Sequence, residues 1–138
     1  MKMTQQMEKF APILLRIGMA VVIVWFGVQQ MQNPSPWIHF LPSWIGSLPI
    51  APQTFVLLNG WFEVTFGLAL LAGLYTRFVA LLLGLHLLGI AASIGYGPLG
   101  VRDFGLAIAT LTVFLAGAGQ WSLDAAYAKN VGEQGRES

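Results

Sequence analysis

Four long apolar runs constrain this chain more than anything else in it. A membrane-spanning helix needs about 20 mostly apolar residues, and such runs fall at about 11–32, 54–74, 77–95 and 103–120. The first reads "APILLRIGMAVVIVWFGVQQMQ". It is too long for the apolar core of a secretion signal and lacks a small-residue cleavage site, so it reads as a retained span. The expected fold class is therefore all-α, an integral membrane four-helix bundle over residues 11–121. A cytoplasmic N-terminal segment at 1–10 and a polar cytoplasmic C-terminal tail at 122–138 flank it. Composition agrees: 9% of residues are charged, against about a quarter in a soluble domain.

An even number of spans puts both termini on one side of the membrane. Lys2, Lys9, Arg16, Arg77, Lys129 and Arg136 fall on that side and only Arg102 on the other. An excess of Lys and Arg marks the cytoplasmic face, which predicts both termini inside. Tyr75, Trp121 and Tyr127 then sit near the inner interface, and Trp37, Trp44 and Tyr96 near the outer one, as aromatic belts require. A net charge of +1 gives no basic footprint for nucleic acid. The absence of cysteine removes disulfides, thiol redox chemistry and iron–sulfur clusters together.

The first outer loop, "NPSPWIHFLPSWIGSLPIAPQ", is long, rich in Pro and Trp, and free of Lys, Arg, Asp and Glu. A solvated linker would be more polar. The expectation is a short irregular segment on the outer interface that closes the bundle, although Trp-rich segments more often act as plain surface anchors.

Ionisable groups inside such runs are costly, and facing lipid would cost about 2.5–3.5 kcal/mol on insertion scales. Glu63 lies roughly 16 Å from the inner boundary and His86 roughly 15 Å, at the helical rise per residue. They share a level on consecutive antiparallel spans, and short connections usually join packed neighbours. A contact between Glu63 and His86, direct or through one water, follows. Asn59, Glu63 and Gly67 share one helical face, as do His86, Gly89 and Ser93, and small residues let membrane helices approach closely. Paired in this way, the acid and the imidazole form a candidate proton relay; paired only as interhelical glue, they are structural.

A second polar set gathers nearer the outside. Gln29 and Gln30 end the first span, Asn59 lies in the outer third of the second, and Arg102 and Asp103 open the fourth. With Trp25 and Trp61 beside them, they are read as the lining of an outward-facing polar cavity for a planar amphiphile, since small-molecule sites combine apolar walls with a few convergent polar groups. The alternative is that Arg102 and Asp103 only end a helix at the interface. Arg16, about five residues into the first span, is expected to snorkel to the inner headgroups. "GYGPLG" at 95–100 joins two hydrophobic helices rather than a strand and a helix, so its likeness to a dinucleotide loop is accidental. No metal constellation can be assembled, with His86 alone in the membrane and His39 in the outer loop.

Three blocks carry a family resemblance: "LLRIGMAVVIVWFG", Glu63 followed by "FGLALLAGLYTRFVAL", and "RDFGLAIATLTVFLAGAGQWSLDA". Over residues 11–127 the chain resembles the DoxX family of small four-span membrane proteins. The resemblance implies a bacterial cytoplasmic membrane location and a link to quinone-dependent redox chemistry. It also implies a protein partner in a redox complex, with quinone as the diffusible carrier. The family's lysine after the glycine that follows the aromatic pair is replaced here by Gln30. A non-catalytic assembly subunit is the competing expectation, and a small-solute or lipid carrier a more distant one, since the chain lacks the repeated, broken spans of transporters. Small residues such as Gly105 and Ala109 on the fourth span point to a homodimer.

Overall fold

The computed structural model describes residues 2–137, which are mostly helical and contain no strand. Met1 and Ser138, the outermost residues of the expected terminal segments, lie outside the described residues. Five α-helices follow one another: α1 Lys2–Gln32, α2 Pro52–Ala72, α3 Thr76–Ile94, α4 Pro98–Ala116 and α5 Leu123–Glu137. Two short 3₁₀ helices, Ser35–Phe40 and Ser43–Ser47, occupy the connection between α1 and α2. The first four α-helices are each long and apolar enough to cross a membrane, so this is an all-α membrane protein.

The helix ends follow local chemistry. Proline at the first turn of α2 and of α4 supplies a preset φ and lacks only an N–H that would be unpaired anyway. That is why α4 begins at Pro98 and not at 103; it stops at Ala116, before Gly117. Gly73 closes α2 in the left-handed conformation at φ 70°, which a glycine adopts without a Cβ penalty. Its N–H bonds Leu70 O at 3.1 Å and that of Leu74 bonds Ala69 O at 2.9 Å. Helix α1 has 31 residues, about 46 Å at the helical rise. That exceeds the roughly 30 Å hydrocarbon core, so its first turns, with Gln5, Gln6, Glu8 and Lys9, project beyond the apolar zone.

Two close pairs build the bundle: α1 against α2 and α3 against α4, with α2 and α3 in far lighter contact. The tight turn between α2 and α3 therefore does not make them the best-packed neighbours. Small residues decide the pairing. Where α1 crosses α2, a Cβ on Gly27 would meet Gly60 O at 2.7 Å, so only glycine allows that approach. Where α3 crosses α4, a Cβ on Gly84 would meet Leu111 Cδ2 at 2.6 Å. The buried core runs between the pairs through Ile23, Leu70, Ala80, Leu83, Ala107 and Val113. Outside, Leu14, Val21, Leu58, Leu68, Phe78 and Leu115 are exposed. An apolar belt of this kind faces lipid.

At the end of the bundle that carries both termini, Arg16 is 1% exposed. It does not snorkel. Its Nε donates to Ala118 O at 3.0 Å, Nη1 to Leu70 O at 2.8 Å and to Leu71 O, and Nη2 to Trp121 O. The carbonyls at the C-terminus of α2 carry the negative end of the helix dipole, which favours a cation there. Asp124, in the first turn of α5, completes the knot. Its N–H donates to Gly73 O at 3.0 Å, while its carboxylate accepts from the N–H groups of Tyr75 and Thr76, each at 2.8 Å. The acid thus caps α3 from another helix. Burial alone would push the Asp124 carboxyl up. The backbone N–H of Thr76, the Thr76 hydroxyl beside it, the Tyr75 N–H and the nearby Arg16 guanidinium together hold it below its ordinary value.

Candidate functional site

The opposite end of the bundle, under the α1–α2 connection, encloses a cavity of about 460 Å³. Its size falls in the range of small-molecule sites, about 300–1,000 Å³. It lies where the two close helix pairs part, so it is a consequence of the packing described above. Phe26 of α1, Phe55 of α2 and Trp37, Phe40 and Trp44 of the connection supply aromatic walls. Trp37 sets its ring edge against Phe26 at 5.8 Å between centroids, and Trp44 does the same to Phe55 at 6.5 Å. Edge-to-face geometry of this kind is favourable between aromatic rings. The connection therefore covers the cavity, and its Ile45 is 1% exposed.

The polar side chains of the cavity come from all four spans. Glu63, midway along α2, is 2% exposed. Gln30 Nε2 donates to Glu63 Oε2 at 2.8 Å, and Asn59 Nδ2 donates to Glu63 Oε1 at 3.1 Å and to Gln30 Oε1 at 2.7 Å. These three form a closed ring of hydrogen bonds across α1 and α2. His86 Nε2 of α3 lies 3.3 Å from Glu63 Oε1, and its ring is tilted at 46° to that of Phe62 with centroids 4.6 Å apart. This contact ties the α1–α2 pair to the α3–α4 pair. Which way its proton points depends on the tautomer.

Arg102 and Asp103 lie in the second turn of α4, one turn further in than the sequence suggested, and both line the cavity. Asp103 is 5% exposed, and Arg102 Nε donates to its Oδ1 at 2.7 Å. The Arg102 guanidinium also stands 5.0 Å from the Phe26 ring centre, a cation–π contact. A residue pair that merely ended a helix would not bury its acid in this way.

Three residues expected in the lining are elsewhere. Trp25 and Trp61 are more than half exposed and face outward, and Gln29 is not among the lining residues. Helical phase explains all three. Trp25 is one position from the inward Phe26, about 100° around α1, and Trp61 is two positions from Glu63, about 200° around α2. Gln29 is likewise one position off Gln30. The aromatic walls come instead from Phe26 and from the covering segment. Those covering residues could have been read from the loop's composition, since a segment without Lys, Arg, Asp or Glu prefers to be covered. His39 is exposed and outside the cavity, and among the described residues no three His, Asp or Glu side chains gather as a metal site.

A family model named DoxX matches residues 11–96. The chain belongs to the DoxX family. The match takes in α1 from residue 11 onward, the covering segment, α2 and α3, and hence Gln30, Asn59, Glu63 and His86 of this DoxX protein. It stops before α4, so the "RDFGLAIATLTVFLAGAGQWSLDA" block and Arg102 and Asp103 fall outside it. No curated protein and no solved structure matches the chain.

Proposed function

We propose that this DoxX protein is a quinone-linked subunit of a redox complex, holding the quinone headgroup in the cavity beside Glu63. The observation that supports it is the contact of a buried carboxylic acid with an imidazole at the floor of an aromatic-walled cavity. Reduction of a quinone to a quinol takes two electrons and two protons, and the quinone supplies the redox chemistry. The chain's own part concerns binding and protons. Glu63 and His86 share a hydrogen bond, so one proton can sit on either partner and be passed to an oxygen in the cavity. Gln30 and Asn59 hold the carboxylate in place by donating to it. Phe26, Trp37 and Phe40 offer flat faces for a planar ring.

Electrons come from a partner protein in this reading. The protein sits in a bacterial cytoplasmic membrane with both termini inside, as the Lys and Arg distribution supports. Self-association through Gly105 and Ala109 of α4 belongs to the same proposal, and a Cβ at Gly105 would meet open space. Gln30 bears on the choice of ligand. A lysine there would set a fixed cation against Glu63, whereas the neutral amide leaves His86 as the group that can balance its charge.

Glu63→Gln and His86→Ala test the proposal in the purified complex. Quinone-dependent turnover should fall by about 10²-fold or more in each, the scale of a lost general acid–base group, with folding unchanged by thermal unfolding in detergent. Turnover that survives both changes leaves the cluster as interhelical glue and the protein as a scaffold.

A further inference from the structure

The seam between α2 and α3 widens away from the tight turn that joins them. Facing α2, Val79 is buried, Leu82 and His86 are half-buried, and Gly89 and Ser93 are exposed. All five lie within a helix long and apolar enough to span a membrane, which puts Gly89 at the depth of the acyl chains and Ser93 one turn nearer the helix end. Both also line the cavity. Glycine weakens a helix interior relative to alanine, and in membrane helices it is usually explained by close approach of a neighbour. No such approach exists here: a Cβ on Gly89 would meet nothing within 4 Å. Ser93 Oγ donates to Gly89 O at 2.8 Å, so its hydroxyl is turned back on its own helix and leaves the seam apolar.

We propose that this seam is a lateral portal, through which an amphiphile enters the cavity from the acyl-chain layer and leaves its hydrocarbon tail lying past Gly89. The inference deepens the function proposed above, because it specifies that the ligand carries a membrane-embedded tail and arrives through the bilayer side of the protein. The polar ring of Gln30, Asn59 and Glu63 sits at the far end of the path, while the covering segment with Trp37 and Phe40 closes the end of the bundle. A polar head is thereby received inside and a tail is left in lipid, which a water-soluble ligand would not need.

The test uses the full chain in phosphatidylcholine nanodiscs doped with a long-chain fatty alcohol that carries an alkyl diazirine beside its hydroxyl. Such groups react well with carboxylic acids, and Glu63 is buried from the outer surface but lines the cavity. Photolysis should give an adduct on Glu63 in the wild type and in Gly89→Ala. Gly89→Trp should lose that adduct while labelling at the lipid-facing Leu58 is unchanged, which shows that the variant is folded and embedded. Absence of the Glu63 adduct in the wild type, or its persistence in Gly89→Trp, overturns the portal. Adding a long-tailed quinone separates the two proposals. Competition with the adduct supports both, whereas an adduct that quinone does not displace keeps the portal and removes quinone as its occupant.

Discussion

Arg16 and Glu63 are buried almost equally, at 1% and 2% exposed, yet their partners differ in kind. Every recorded partner of Arg16 is a backbone carbonyl, at the end of α2 or in the segment after α4. Every recorded partner of Glu63 is a side chain, and the group borders a cavity. Backbone acceptors cannot move without moving the helices, so the arginine locks the fold. Side-chain partners can rotate, exchange protons and admit a ligand. One end of the bundle is a knot and the other a candidate site, and a buried charge alone does not say which.

The comparison breaks most readily at Arg16. Arg16→Leu leaves the carbonyls of Leu70, Leu71, Ala118 and Trp121 short of a donor. Leaving a buried acceptor unpaired costs about 1–3 kcal/mol, so several at once take a large share of a total stability of about 5–15 kcal/mol. The yield of monodisperse protein and its unfolding temperature in detergent should therefore collapse. Arg16→Lys should recover little, because one ammonium cannot span donors held by a planar guanidinium. Polar interhelical contacts in membranes average about 0.6 kcal/mol, which is the scale expected for Glu63→Gln. Equal losses at the two positions would erase the distinction between knot and site.

A second break lies in the α1–α2 crossing. Gly27→Ala puts a Cβ within 2.7 Å of Gly60 O, backbone that cannot swing aside. Overpacking of this kind costs about 1–3 kcal/mol. Gln30 sits one turn beyond, so separating the helices should also lengthen its 2.8 Å bond to Glu63. Unfolding measurements together with ligand affinity check this, and both should fall. A stable variant with unaltered affinity would show that the crossing does not set the site.

The meeting of Glu63 and His86 was legible because helical rise fixes depth and an acid in hydrocarbon must be paired. Rotation was not. A span that is apolar on every side carries little periodic signal about which face turns inward, so the sequence points to Trp25 where the fold uses Phe26. The knot at Arg16 escaped for another reason: its acceptors are carbonyls, which every residue has and no sequence displays. The start of α4 was visible in Pro98, a favoured first-turn residue, but the polar pair Arg102 and Asp103 drew the boundary inward. Asp124 shows the same difficulty, since its partners are N–H groups of a turn 49 and 48 residues away.

Asp124 offers the smallest and most specific test of the knot. Asp124→Ala removes the cap of α3 and should cost about 1 kcal/mol at neutral pH, as lost helix caps do. The sign of the pH dependence follows from the folded acid's lowered affinity for protons. A carboxyl held below its unfolded value of about 3.9 adds stability above that value and loses it as pH falls through the folded one. The gap between wild type and Asp124→Ala should thus be constant from neutral pH to about pH 5, shrink below about pH 4 and vanish once the carboxyl is protonated in both states. Asp124→Asn has a single acceptor oxygen for the two N–H groups, so it should keep only part of the stability and show no such dependence. A gap that widens on acidification would mean that burial outweighs the two N–H bonds and the Arg16 charge, and that the acid is tolerated at the turn rather than holding it.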